Sequence, residues 1–170
     1  MSDIIIRKAT PADAPAVLDY LNKVGGESDQ LLFTEGAFSA TSIAEEAAII
    51  QQLTTGINST MLLALDGQQV ISVSTLNGSP RPRAAHRTSL ALSVRRSHWN
   101  RHIGYKMLTS LIDVAKEKHL DVIDLEVKAD NQAAIHLYQK AGFKEIGRYP
   151  QFLKIEGQYY DGILMVLQLN

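Results

Sequence analysis

The sequence of 170 residues contains no cysteine. This absence excludes disulfide bonds, thiolate metal sites and a cysteine nucleophile, so a group transfer would need direct attack by the acceptor rather than an acyl-cysteine. Neither a G-x-G-x-x-G motif nor a G-K-[ST] motif of nucleotide-binding loops occurs, and the five histidines do not have metal-ligand spacing. We therefore expect no bound metal.

Long apolar runs and a strong charge of one sign are also missing. The 17 basic and 18 acidic residues give a net charge of −1, so no overall field favours nucleic acid or a membrane surface. The apolar run at residues 4–6 is far too short for a signal peptide or a spanning helix. We expect a cytoplasmic protein that recognises anions only locally.

What is present is typical of one globular domain. Hydrophobic residues make up 45% of the chain, which is enough to build a core at this length. The sequence shows no internal repeat, low-complexity tract or linker. We expect residues 1–170 to form a single domain.

Periodicity and turn residues predict about seven strands and about four helices. Strands are expected at 4–9, 61–65, 70–75, 86–94, 122–127, 143–148 and 159–169. Helices are expected from Pro11 to about residue 23, from a Thr41 or Ser42 cap to about residue 53, from Gly104 to about residue 119, and at 133–141 after an Asp130 cap. This order predicts an α+β fold with a mixed, mainly antiparallel sheet.

One segment, residues 94–104, has the features of an anion site. A strand leads through a basic turn into a helix that starts on glycine, which brings free backbone N–H groups and the positive end of a helix dipole together. The surrounding basic residues are Arg95, Arg96, Arg101, His102 and Lys106. A polyphosphate would suit this site, although basic residues near a helix start are as common on a solvated surface.

The same segment carries a family resemblance. The run VRRSHWNRHIGYKMLTSLIDVAK and the following LEVKADNQAAIHLYQKAGFKEIGR resemble the GCN5-related N-acetyltransferases, in particular the branch with ribosomal-protein and small-amine acetyltransferases. The most specific part is V-x-A-D-N-x-x-A-I-x-L-Y-x-K-x-G-F. The resemblance implies an acetyltransferase fold, acetyl-CoA as co-substrate, and direct attack by a primary amine in a ternary complex.

The resemblance also implies a cofactor site. The family's Q/R-x-x-G-x-G/A turn for the pyrophosphate corresponds here to residues 99–104, with Trp99 in place of Gln or Arg and His102 in place of the first glycine. The main chain of the strand before it would pair with the pantetheine arm, which requires the sheet to open after Val94. The implied cofactor-binding residues are Leu92, Val94, Arg101, His102, Ile103, Gly104 and Asn131.

The resemblance further implies that Tyr138 lies near the thioester sulfur. A phenol with an ordinary pKa near 10 can protonate a departing thiolate at neutral pH, so we expect Tyr138 to be the general acid. The alternative is a core tyrosine, because this position lies on or beside the buried stripe of a short helix.

A general base is harder to identify. Many relatives use a glutamate on the central strand, but residues 87–94 contain no acid. Glu27 and Glu126 remain as candidates, and we prefer Glu27 because an acid at that place often lines the acceptor pocket in this branch. The alternatives are an exposed loop position for Glu27 and a solvated strand face for Glu126.

The acceptor itself is open at this level. The acids Glu27, Asp29 and Glu35 in the loop over residues 24–40 favour a cationic amine, whereas its apolar residues 31–33 could hold a peptide N-terminus. We favour a small-molecule amine. A protein N-terminus and a non-catalytic acyl-CoA-binding regulator are the alternatives, and homodimers through the terminal strands are common in such folds.

Overall fold

Seven strands form one sheet in the computed structural model, which describes residues 3–170. The strands are β1 (Ile4–Lys8), β2 (Thr60–Asp66), β3 (Gln69–Asn77), β4 (Arg87–Val94), β5 (Val122–Lys128), β6 (Lys144–Ile155) and β7 (Gln158–Gln168). The helices are α1 (Ala14–Val24), α2 (Ile43–Thr55), α3 (Ile103–Glu117) and α4 (Gln132–Lys140), with short 3-10 turns at Pro11–Asp13 and Arg96–His98.

The sheet has the order β1-β2-β3-β4-β5-β7-β6. Every neighbouring pair is antiparallel except β4 and β5, which run parallel. This confirms the predicted α+β fold and its mixed, mainly antiparallel sheet. No helix within residues 3–170 is both long and apolar enough to cross a membrane.

Two apolar cores lie on opposite faces of this sheet. On β2, Leu62 and Ala64 belong to one core, whereas Met61 and Leu63 belong to the other. Successive strand residues point to opposite faces, so this alternation separates the two layers. One core contains the buried faces of α3 and α4, and the other contains those of α1 and α2.

Side-chain hydrogen bonds fix the start of α2 and the 3-10 turn that precedes α1. Ser42 caps α2 by accepting the N–H of Glu45 at 3.2 Å, and the Glu45 carboxylate accepts the Ser42 N–H at 2.7 Å. Before α1, Asp13 accepts the N–H of Thr10 at 2.7 Å and pairs with Arg7 at 2.7 Å. The hydrogen bond from Arg7 is the main reason that the pKa of Asp13 falls to about 2.

The sheet opens between β4 and β5, and it does so earlier than predicted. The two strands pair only from Arg87 with Val122 to Ser89 with Asp124. Beyond that point β4 stays with β3 and β5 stays with β7, so the halves of the sheet diverge. The opening was predicted after Val94, but it begins after Ser89, five residues earlier. It begins there because β4 continues to pair with β3 and β5 continues to pair with β7, while the two strands no longer pair with each other.

Two further local predictions are corrected. Asn131, not Asp130, caps α4, with its Oδ1 accepting the Ala134 N–H at 3.2 Å, because the Asp130 carboxylate is instead drawn to Lys128. Strand β6 continues past the predicted end at residue 148 to Ile155. It does so across an irregularity in its pairing with β7, where Gln151 has a φ of 54°.

Candidate active site

A cavity of about 920 Å³ lies where β4 and β5 separate. Its wall is built from four segments: the loop at residues 27–31 after α1, the end of β4, the turn that leads into α3, and one side of α4. Eight of the nine residues predicted to form the site line this cavity: Glu27, Leu92, Val94, His102, Ile103, Gly104, Asn131 and Tyr138. Residues about 110 positions apart in the chain are thus brought together at one opening.

The end of β4 offers an unpaired peptide edge to the cavity. Arg95 donates its N–H to the Ile71 carbonyl on β3 at 2.8 Å. Hydrogen-bonding groups of successive residues point to alternate sides of a strand, so Leu92 and Val94 direct theirs away from β3, to the side that β5 has left. An extended chain with amide groups can pair there as an added strand.

Val94 does not keep its whole peptide edge free. Its carbonyl accepts a hydrogen bond of 2.9 Å from the indole N–H of Trp99. Trp99 stands where the resembling family has Gln or Arg, and in this chain it ties the end of β4 to the turn before α3. The Val94 N–H remains directed to the open side.

The start of α3 has the backbone geometry on which the predicted anion site depends. The first N–H groups of an α-helix have no partner within the helix, and they carry the positive end of its dipole. His102 is the cap residue, with φ of 59°, and Asn100 has φ of 58°. Both residues adopt the left-handed conformation that glycine tolerates best, which explains why the family pattern has glycine at position 102.

Arg101 is the one predicted site residue that does not line the cavity. Its guanidinium lies 4.0 Å from the Asp66 carboxylate at the end of β2. Asp66 also contacts the buried His98, with the imidazole Nε2 at 3.1 Å. Asp66 therefore contacts the basic turn through Arg101 and His98. Sequence patterns alone do not indicate these contacts, because Asp66 lies more than 30 residues earlier in the chain.

Tyr138 is buried on α4 and faces the cavity. The residue is 7% exposed, and its ring packs on Phe143 with centroids 5.7 Å apart. Burial raises the pKa of Tyr138 to about 12, so the phenol keeps its proton at neutral pH and can serve as a hydrogen-bond donor. The predicted catalytic role and the observed packing are compatible, because the buried ring also lines the cavity.

Glu27 lies on the cavity wall with both carboxylate oxygens already in use. One oxygen accepts from the Arg95 guanidinium at 2.6 Å, and the other accepts from the Arg96 N–H at 2.6 Å. A carboxylate has room for further donors, so this arrangement suits an anchor for an amine or a water. Glu126 is exposed on β5 and is absent from the cavity wall.

Two of the three acids of the loop pair with cations at the ends of β4 and β5. Glu27 pairs with Arg95, and Asp29 pairs with Lys128 at 3.1 Å. These pairs reduce the negative charge that the loop offers to a cationic acceptor, although Lys128 is shared with Asp130 at 3.0 Å.

Two buried groups near the cavity were missed by sequence reasoning. Lys128 is the last residue of β5, and its side chain is only 1% exposed. Tyr20 of α1 hydrogen-bonds Ser93 of β4 at 2.9 Å, and Ser93 lines the cavity. The only sequence signal for Lys128 is a lysine next to an apolar strand residue, which ordinarily marks an exposed position.

No group of three or more His, Asp or Glu side chains within residues 3–170 is arranged to hold a metal ion.

The cavity does fit the co-substrate that the resemblance implies. A pantetheine chain matches the free edge of β4, and a pyrophosphate matches the N–H groups at the start of α3.

Comparison with known families agrees with this geometry. Residues 31–143 match the model of the acetyltransferase (GNAT) family. The L-amino acid N-acetyltransferase AaaT of Escherichia coli is 27% identical over 168 residues, which is 97% of this chain and 98% of that protein. The L-amino acid N-acyltransferase MnaT of the same organism is 32% identical over 85 residues, and the match spans about half of each protein, 50% of this chain and 49% of MnaT.

Solved structures share the whole fold. A GNAT-family acetyltransferase from Streptococcus pneumoniae superposes with a TM-score of 0.95 at 28% identity, over 98% of this chain and 100% of that one. The yncA protein of Salmonella typhimurium, solved with its cofactor acetyl-CoA, has a TM-score of 0.84 at 20% identity, over 98% of this chain and 94% of that one.

Proposed function

The chain belongs to the acetyltransferase (GNAT) family of acyltransferase enzymes, and from this we propose that it transfers the acetyl group of acetyl-CoA to the α-amine of a small amino acid. The observation that carries the proposal is the cavity at the β4–β5 opening, where an unpaired strand edge, a helix start and a buried tyrosine meet. Acetyl-CoA supplies the activated thioester. The chain's own residues bind acetyl-CoA and orient the amine. They also help to remove the proton that the amine loses, and they donate a hydrogen bond to the departing sulfur.

Cofactor binding is proposed for two places in the cavity. The peptide groups of Leu92 and Val94 pair with the pantetheine amides, and the N–H groups of His102, Ile103 and Gly104 face the pyrophosphate. Asn131 uses its Oδ1 to cap α4, which leaves its amide NH₂ to donate to the bound chain. Arg101, held near Asp66, contributes positive charge to the turn from outside the cavity.

Tyr138 is proposed to donate to the sulfur as the C–S bond breaks. With a pKa of about 12, its phenol is a weaker acid than an ordinary thiol of pKa about 8.5. Complete proton transfer to a free thiolate would therefore be unfavourable. We expect its catalysis to be a hydrogen bond that strengthens as negative charge develops on sulfur.

The acceptor amine must lose a proton before it attacks. A side-chain or polyamine nitrogen has a pKa near 10, and an α-amine at a peptide N-terminus has a pKa of about 8. The α-amine of a free amino acid has a higher pKa than a peptide N-terminus, because its own carboxylate stabilises the ammonium. Because β4 carries no glutamate, this proton is left to Glu27 or to water. Glu27 then anchors the ammonium or a water that carries its proton away, rather than acting as a strong base.

The amino-acid acceptor has support from two sides. The pairing of Glu27 with Arg95 and of Asp29 with Lys128 weakens the attraction of the loop for a polycation. The full-length relative AaaT is named for L-amino acids. A ribosomal-protein N-terminus shares the α-amine, and the experiment must separate the two.

The proposal is tested by acetyl-CoA-dependent thiol release across matched acceptors: free L-amino acids, their carboxamides, N-terminal peptides of ribosomal proteins, polyamines and aminoglycosides. Release with free amino acids that weakens in the carboxamides is expected. Release only with peptides would identify a protein N-terminal acetyltransferase instead, and release only with polyamines would contradict the α-amine proposal. No release with any acceptor, while calorimetry shows acetyl-CoA bound, would favour a non-catalytic acyl-CoA-binding protein.

A further inference from the structure

The loop after α1 is fastened to the sheet at two points, one on each side of the β4–β5 opening. Glu27 binds Arg95 and the Arg96 N–H directly beyond the end of β4. Asp29 binds Lys128, the last residue of β5, at 3.1 Å. The two carboxylates are two positions apart, so the segment between them spans the gap where the strands have separated. We call residues 27–31 the bridging loop.

Lys128 is an unusual anchor because its ammonium is almost completely buried. Its side chain is 1% exposed, and it contacts Asp29, Asp130 at 3.0 Å, and the ring of Tyr160 at 4.0 Å from the centroid. Removing an ammonium from water is unfavourable unless opposite charges and a π face compensate it. Here the compensating groups come from three separate segments, namely the bridging loop, the turn before α4, and β7.

The bridging loop forms one wall of the cavity along all five of its residues. Asp29 is also tied within the loop, because the Gln30 side-chain amide donates to its second oxygen at 2.9 Å. The position of Asp29 therefore fixes its neighbours. Asp130, by contrast, lies two residues after Lys128 in the turn before α4. It binds the ammonium from its own side of the opening, and it is not part of the bridging loop.

We propose that Lys128 is a positioning residue for the acceptor amine, and that it acts through Asp29 by holding the bridging loop across the β4–β5 opening. This proposal rests on the proposed function, since it assigns the bridging loop to the acceptor side of the cavity. The pantetheine edge of β4 and the start of α3 do not depend on this contact. Loss of the Lys128–Asp29 pair should thus affect the acceptor far more than acetyl-CoA.

The informative variant is Asp29→Asn, because its side chain is 53% exposed and the change removes one charge without creating a hole. The matched control is Asp130→Asn, which removes the other carboxylate from the same ammonium but leaves the bridging loop anchored. Asp29→Glu restores the charge. Lys128→Met and the double variant Lys128→Met with Asp29→Asn complete a double-mutant cycle.

Three measurements are made on each variant. Steady-state kinetics gives KM for the acceptor, with calorimetry for acetyl-CoA binding, and hydrogen exchange follows the amides of residues 25–31. For Asp29→Asn we expect about a tenfold rise in acceptor KM, acetyl-CoA affinity within about twofold of wild type, and faster exchange in the bridging loop. Asp29→Glu should return all three toward wild type, and Asp130→Asn should leave acceptor KM within about twofold.

The cycle separates positioning from general stability. In the Lys128→Met background, Asp29→Asn should have no further effect on acceptor KM. The proposal is overturned if Asp29→Asn leaves both exchange and acceptor KM unchanged, if it weakens acetyl-CoA as much as the acceptor, or if Asp130→Asn has the same effect. If Lys128→Met does not fold, the comparison of Asp29→Asn with Asp130→Asn still decides. If the wild type transfers acetyl to no amine, the proposed function fails, while the exchange data still judge the anchor.

Discussion

Position 102 offers a sharp test of the anion site proposed at the turn before α3. His102 has φ of 59°, a conformation in which a residue with a Cβ is strained by about 1–2 kcal/mol relative to glycine. Glycine removes this strain but gains more freedom in the unfolded chain, an opposing effect of about 0.4–1 kcal/mol. We therefore expect His102→Gly to change the free energy of unfolding by about 1 kcal/mol or less, in the stabilising direction.

A β-branched residue should have the opposite effect, because it adopts positive φ with difficulty. For His102→Val we expect a loss of about 1–2 kcal/mol in denaturant unfolding, or a rearranged turn. Since the anion site depends on the direction of the N–H groups in this turn, acetyl-CoA affinity by calorimetry should fall by about tenfold in His102→Val and should be kept or improved in His102→Gly. The reasoning would be refuted by a His102→Val protein that is as stable as wild type and binds acetyl-CoA equally well.

Three further predictions concern stability. Asp13→Asn should lower the free energy of unfolding by about 1–2 kcal/mol at pH 7, an amount discounted because Arg7 is partly exposed. The folded pKa of Asp13 is lowered from 3.8 to about 2. Urea titrations should therefore show the difference between the two proteins shrinking as the pH falls from 3.8 to about 2, and vanishing below that. Ser42→Ala should lose about 1 kcal/mol in the same assay, because it removes the cap of α2, and an unchanged midpoint would contradict the cap. The free energy of unfolding of Tyr138→Phe, relative to that of wild type, should rise by up to about 2 kcal/mol between pH 10 and pH 12. The reason is that the folded pKa of Tyr138 is raised to about 12, so that from pH 10 upward the phenol ionises only in the unfolded wild-type chain. Parallel pH profiles of the two proteins would contradict this.

Much of the fold and of the cavity could be predicted from the sequence because the signals are local. Periodic apolar residues and turn formers define the elements, and the contiguous stretch from Val94 to Gly104 forms the turn of the proposed anion site. The motif around Asn131 and Tyr138 places both on a single short helix. Eight predicted site residues consequently line one cavity.

The remaining features depend on contacts between distant segments. The opening of the sheet after Ser89 follows from the neighbours that β4 and β5 keep, which no local pattern encodes. Strand alternation predicts an exposed Lys128, because Leu125 and Val127 point to the core. The side chain is nevertheless buried, because Asp29 and Tyr160, which are distant in sequence, pack against it. The pairing of Glu27 with Arg95 spans 68 residues, and it reduces the negative charge from which a cationic acceptor was inferred.

The most direct test of catalysis at this cavity compares wild type with Tyr138→Phe, using the best acceptor found. Thiol release and acetyl-CoA binding are measured on the same preparations. We expect kcat to fall by about a hundredfold or more, with acetyl-CoA affinity and the acceptor KM nearly unchanged, because the phenol donates only as charge develops on sulfur. Equal kcat values in the two proteins would contradict the role of Tyr138 and, with it, the proposed mechanism at the β4–β5 opening.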